Sequence, residues 1–290
     1  MKLLMVATDF SERSDRALRR ATLLARQTGA GLALVHVVDD DQPTRIVEAE
    51  REVAADLLRE QAATIRESDG IACTARVGLA DPFAGIVAAA EDIAPDLLVL
   101  GPHRRRLLRD VFVGTTAERT MRSVSCPVLM ANAAPVGPYR HALLATDLSE
   151  GSRAAITRFS ELGLAPAARA SALYVFDTAE ARMMRVHAMP SDGHETHLAE
   201  TGEAAARALS SFLGAFPHVP LTEVPRPQET TPPDQILAAA AETEADLIVL
   251  GSHGRSGLEA LVLGSVARQV LRGADIDVLT VPPARGTQPG

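Results

Sequence analysis

The chain has a single lysine, Lys2, and only two cysteines, Cys73 and Cys126. Arginine supplies every other fixed positive charge, so a lysine-dependent active site or a lysine-bearing phosphate loop has no residue to work with beyond position 2. The cysteines lie in apolar stretches without a His or Cys at metal spacing, which removes a disulfide framework and a zinc ribbon and leaves buried thiols. No apolar run reaches the roughly 18 residues of a membrane span. The opening MKLLMVATDF offers only Leu3 to Ala7 before Asp9, too short for a signal-peptide core, and a cytoplasmic protein is expected. A net charge of −8 argues against a general affinity for nucleic acid, which needs a basic face.

What is present is a duplication. In 290 residues, 47% of them hydrophobic, there is material for two cores. LLMVATDFSERS (3–14) returns as ALLATDLSEGS (142–152), matching Asp9 to Asp147 and Ser11 to Ser149. APDLLVLGPH (94–103) returns as EADLIVLGSH (244–253). Short apolar runs rich in Val, Leu and Ile predict strands near 3–8, 32–37, 72–77, 96–100 and 127–131, then near 141–146, 170–175, 219–224, 246–250 and 277–281. Helical patterns fall between them; the first opens at Ser11 and stops at Gly29, and PFAGIVAAAED begins with a first-turn proline. Strands apolar throughout, alternating with helices, need helices on both faces of a parallel sheet, so each half is expected to be a doubly wound α/β domain. The segment NAAPVGPYR places the break near Pro135 to Pro138, giving domains 1–135 and 138–290.

Ligands of such sheets sit beyond the carboxyl ends of the strands, where strand order reverses. Asp9 and Asp147 close the first strand of each half, and Gly101 and Gly251 close the fourth. The second-half loop follows a G-x2-G-x9-G-S pattern, Gly251, Gly254, Gly264 and Ser265, leading into the short helix VARQVLRG. Glycines admit close approach of backbone N–H groups to an anion, and a helix start adds free amides and partial positive charge. That describes a phosphate cradle; the plainer reading, in which each glycine only turns the chain, stays beside it.

ATDFS and ATDLS on the first strands, LVHVVD (34–39) on the second, and VLGSHGRSGLEALVLGS on the fourth together resemble the universal stress protein family in a tandem, two-domain form. In its ATP-binding members the strand order is 3-2-1-4-5. The resemblance implies a nucleotide-responsive stress or signalling factor in which Asp147 and Val175 meet the nucleoside. It implies Gly251, Gly254, Gly264, Ser265 and Val266 for the ribose and phosphates, with Arg255 in reach of a phosphate. A magnesium ion would be carried largely by ATP, with no protein metal site. The first half keeps Asp9, Val37, Gly101, Gly114 and Thr115, but Arg104 replaces the middle glycine; its guanidinium can fill the phosphate space, and a weaker or lost site is expected there. The fifth strands, CPVLMA and IDVLTVP, would be apolar edges, and pairing them makes a pseudo-dimer within one chain. Homodimerisation remains open.

Other groups fit less well. His103 and His253 recur at one loop position without a nucleophile, and no residue set supplies a general base for water, so no catalytic residue is assigned. His187, Asp192, His194, Glu195 and His197 either bind a metal or form an exposed loop entering a helix. The rival functions are a slow ATPase or nucleotidyl-transfer enzyme, and a nucleotide-free scaffold for a protein partner. The expected asymmetry is checked by equilibrium binding: two equivalent ATP sites per chain, one of them abolished by Asp9→Ala, would refute it.

Overall fold

A computed structural model describes residues 1–102, 116–177, 194–252 and 263–283. The first half runs β1 (Leu3–Ala7), α1 (Glu12–Thr28), β2 (Gly31–Val38), α2 (Thr44–Asp69), β3 (Cys73–Leu79), α3 (Pro82–Ile93), β4 (Leu97–Leu100), α4 (Thr116–Ser123) and β5 (Val128–Met130). The second runs β6 (His141–Thr146), α5 (Glu150–Leu162), β7 (Arg169–Phe176), α6 (His194–Leu213), β8 (Thr222–Pro227), α7 (Pro232–Glu242), β9 (Leu247–Gly251), α8 (Ser265–Gly273) and β10 (Asp277–Val281). Local chemistry sets the helix ends. Ser11 and Ser149 cap α1 and α5 by accepting from the amides of Ser14 and Ser152, and Gly29 and Gly163 close them in the left-handed region at φ 71° and 63°. Asp81 and then Pro82 start α3.

All ten strands form one sheet, ordered β3-β2-β1-β4-β5-β10-β9-β6-β7-β8. Every neighbouring pair is parallel except β5 with β10. There Val278 faces Met130, Leu279 faces Leu129 and Thr280 faces Val128. The pairing is symmetric about Leu129 and Leu279, so the axis relating the halves passes through two leucines with no measurable exposure. Two apolar edges thereby become the buried middle of the sheet. One core cluster runs across that axis under α1, α2 and α5, from Leu4 and Leu34 to Leu144 and Val249, while the opposite face carries a separate cluster for each half.

Polar contacts pin the seam. Asp277, at the start of β10, is fully buried; its carboxylate accepts from Arg20 Nε (2.8 Å), Tyr139 Oη (2.6 Å) and the Ala133 amide (3.0 Å). Arg20 also donates to the Gly137 carbonyl and lies 4.2 Å from the centroid of the Tyr139 ring. Asn132 donates to the carbonyls of Ala274 and Ile276. On the other face Arg272 of α8 pairs with Glu118 of α4 at 2.9 Å. The segment 131–140 thus spans the two halves as a strap tied to β10, although Val136 at its tip is 97% exposed.

One strand departs from the sequence pattern. The apolar run near 219–224 predicts a strand there, but β8 covers Thr222–Pro227 and contains Pro225 and Pro227. An edge strand tolerates proline where the N–H would face away from the sheet, and the sequence pattern cannot tell an edge from a centre. Asp277→Ala leaves the Arg20 guanidinium buried without its acid and should cost about 3–5 kcal/mol, against about 1 kcal/mol for Tyr139→Phe. Urea denaturation of the two variants measures the difference.

Candidate functional site

β6 lies between β7 and β9, both parallel to it, with Leu144 beside Val249 and Thr146 beside Tyr174. Asp147, Val175 and Gly251 therefore gather at one carboxyl edge, where the chain leaves β6 toward β7 on one side and meets β9 on the other. Asp147 begins the turn into α5. Its Oδ1 accepts from the Ser149 amide (3.1 Å) and from Ser152 Oγ (2.7 Å), while its own amide donates to Ser152 Oγ (3.1 Å). Leu148 follows at φ 64°, a left-handed conformation costly to a branched side chain, steadied by its amide on Thr146 Oγ1 (3.0 Å). One carboxylate oxygen of Asp147 thus shapes the turn, a local role that sequence spacing alone did not reveal.

Across the crevice, Gly264 precedes α8 in an extended conformation and its amide donates to the Ser252 carbonyl (2.8 Å). No side chain caps this helix, whereas Ser149 caps α5 and Thr231 caps α7. The first intrahelical bond runs from the Arg268 amide to the Gly264 carbonyl, so the amides of Ser265, Val266 and Ala267 have no acceptor among the described residues. Unpaired amides at a helix start, with the aligned peptide dipoles behind them, favour an anion. Gly251, Gly264, Ser265 and Val266 lie together here. Gly254 and Arg255 of the same loop fall outside the described residues, as do Arg104, Gly114, Thr115, His103, His253, His187 and Asp192. His194, Glu195 and His197 belong to the first turns of α6.

The first half repeats the backbone and changes the side chains. Asp9 follows β1, Phe10 has φ 58°, and Asp9 Oδ1 accepts from the amide and hydroxyl of Ser11. Burial pushes the Asp9 carboxyl up, but hydrogen bonds from Ser11 and Ser14 and the charge of Arg13 outweigh it and hold the group below the usual carboxylate range. Arg13 reaches within 3.8 Å of Asp9 Oδ2. Its counterpart in the second half is Gly151, so this helix-borne partner of Asp9 has no equivalent at the same position beside Asp147. Phe10 stacks near His36 with centroids 4.6 Å apart. Val37 differs too: a Cβ on Gly85 would come within 2.5 Å of Val37 Cγ1, so α3 lies hard against β2. The position matching Gly85 is Gln235, whose buried Oε1 has no partner among the described residues. Sequence reasoning missed both differences, although aligning the halves shows them.

Comparison with known proteins follows the same division of the chain. The universal stress protein family model matches twice, over residues 1–132 and 138–282. The chain belongs to the universal stress protein family. Among curated members, one from Mycolicibacterium smegmatis is 24% identical over 310 residues, 97% of each chain, and universal stress protein A homolog 1 of Coxiella burnetii is 31% identical over 49% of this chain and 96% of its own. Among solved structures, a universal stress protein from Archaeoglobus fulgidus aligns with TM-score 0.73 at 20% identity, covering 97% of this chain and 98% of that one; this shows a shared tandem fold.

Within this universal stress protein, Gly101 answers to packing. A Cβ there would lie 2.5 Å from the Arg13 carbonyl oxygen and 2.9 Å from the Ser14 amide, both backbone atoms with little freedom to yield. Gly101→Ala should destabilise the first half by about 1–3 kcal/mol without any ligand present, measured by urea unfolding. An unchanged midpoint would remove the packing role.

Proposed function

We propose that this universal stress protein binds an adenine nucleotide, ATP foremost, in its second half, residues 138–290, and acts as a nucleotide-responsive stress or signalling factor in the cytoplasm. The observation that carries this reading is the uncapped start of α8, whose Ser265, Val266 and Ala267 amides have no acceptor among the described residues, on the same strand edge as Asp147 and Val175. The phosphates are the group those amides suit. Asp147 and the backbone of Val175 hold the nucleoside, Gly251, Gly264, Ser265 and Val266 hold ribose and phosphates, and Gly254 and Arg255 complete the loop. Magnesium arrives with the nucleotide, whose phosphates supply most of its ligands.

Holding is the chemistry these residues perform. Asp147 keeps one oxygen engaged in the α5 turn, and the Ser152 hydroxyl that donates to it is buried and also accepts from the Asp147 amide, a helix-start contact. In residues 1–135 the equivalent crevice is closed further. Arg13 sits on Asp9, Gly85 draws α3 onto Val37, and Arg104 replaces the glycine matching Gly254. This half serves mainly as the partner in the intrachain pseudo-dimer.

Titration of the intact chain with Mg-ATP is expected to show one tight site per chain. Asp147→Ala and Gly254→Arg should each weaken it at least tenfold, about 1.4 kcal/mol, while Asp9→Ala leaves it unchanged. A nucleotide-free scaffold predicts no saturable heat, and an enzyme predicts turnover above buffer that His253 or Asp147 substitutions abolish without loss of binding.

A further inference from the structure

The two ends of the ten-stranded sheet are formed by equivalent strands, β3 and β8, and they are finished differently. The Leu32 amide donates to the Ala72 carbonyl and the Ala80 amide to the Val38 carbonyl. In a parallel ladder these bonds turn alternate residues of β3, from 72 to 80, toward β2 and point the N–H and C=O groups of Cys73, Ala75, Val77 and Leu79 away from the sheet. The Cys73 carbonyl is taken by Arg66 Nη1 at 2.7 Å; those of Ala75, Val77 and Leu79, with their amides, have no partner among the described residues. β8 has the same register, since the Gln228 amide donates to the Phe176 carbonyl beside the Phe176–Pro227 pair. Its outward residues are Glu223, Pro225 and Pro227. The outward N–H groups of Val77 and Leu79 on β3 therefore have no equivalent on β8, where Pro225 and Pro227 stand, which is how natural sheets blunt an edge. β3 carries no such block.

Beside this open edge runs a groove of about 210 Å³ lined by Arg51, Ala55, Leu58 and Arg59 of α2 and by Ala75, Arg76 and Val77 of β3. Arg51 pairs with no acid among the described residues. Among the described residues Arg59 pairs with Asp56 on its own helix (2.5 Å) and Arg76 with Asp92 (2.8 Å); all four side chains are largely exposed, where such pairs are weak and exchangeable. Ala55 and Ala75 leave room between the arginines for alternate side chains of an added strand.

We propose that β3 is a docking edge for an extended, acidic segment of a partner protein, which adds an eleventh strand through the main-chain groups of Ala75, Val77 and Leu79 and sets alternate acidic side chains against Arg51 and Arg59 of α2. Strand addition draws affinity from the backbone and selectivity from alternate side chains. A second copy is the poorer occupant, because pairing β3 with β3 brings Arg51 and Arg59 of both copies together. The proposal is independent of nucleotide binding.

The test is selection of phage-displayed random octapeptides on the immobilised intact chain, with counter-selection on Val77→Pro, which places at 77 the residue carried by the equivalent position 225. The expected pool is enriched in Asp or Glu at every second position. A synthetic member of it, followed by fluorescence anisotropy, should lose at least tenfold in affinity on N-methylation of alternate residues or with Arg51→Glu, and should bind more weakly as salt rises. The last two readouts stand even if Val77→Pro fails to fold. A pool without acidic periodicity, equal binding of the N-methylated peptide, or a chain dimer dissolved by Val77→Pro overturns the proposal.

Discussion

The antiparallel pairing of β5 with β10 is the contact on which the rest of the molecule depends. Each half ends in a short apolar strand that would be an exposed edge alone, and joining them at Leu129 and Leu279 buries both and continues one core across the chain. Because the join is symmetric, the strands of one half pair in the same registers as their counterparts in the other. Differences between counterparts can then be assigned to local chemistry. Arg20 and its counterpart Arg158 illustrate this: the first is buried on Asp277, while the second, with Pro127 in the place of Asp277, pairs with Glu161 at the surface. The buried arginine–aspartate pair that holds the strap therefore has no twin at the symmetric position.

Counterparts differ at the strand edge that follows β1 and β6. At the strand-edge crevice the backbone turn is kept twice, including a non-glycine left-handed residue after each aspartate, at Phe10 and Leu148. Keeping a costly turn in both halves shows that packing and capping enforce it with or without a ligand. The side chains around it differ, with Arg13 set against Gly151 and Gly85 against Gln235. At the far ends of the sheet, proline closes one edge and leaves the other open. One duplicated scaffold thus offers different chemistry at each of its repeated sites.

Most of the scaffold was legible in the sequence because apolar runs, glycine stops and serine caps act locally. Ser11, Gly29 and Pro82 mark real helix ends, and nine of the ten predicted strands lie within a few residues of the observed ones. The exception, β8, depends on being an edge, a property set by topology that no local pattern carries. At the crevice, Asp147, Val175, Gly251, Gly264, Ser265 and Val266 could be named from spacing and resemblance. The structure brings them to one strand edge. The double duty of Asp147, split between helix turn and crevice, needed hydrogen-bond geometry to see. So did the unpaired amides of α8, since a missing cap is a property of the fold around Gly264.

We propose that the two halves make an asymmetric device, in which the second receives the phosphates and the first carries Arg13 beside Asp9 and Arg104 in the place of Gly254. The most direct measurement is the adenine nucleotide released when the chain, purified without added nucleotide, is denatured and the extract quantified against protein. The account predicts up to one equivalent per chain, absent from the Gly254→Arg variant. Two equivalents, or one that survives that substitution, would contradict it.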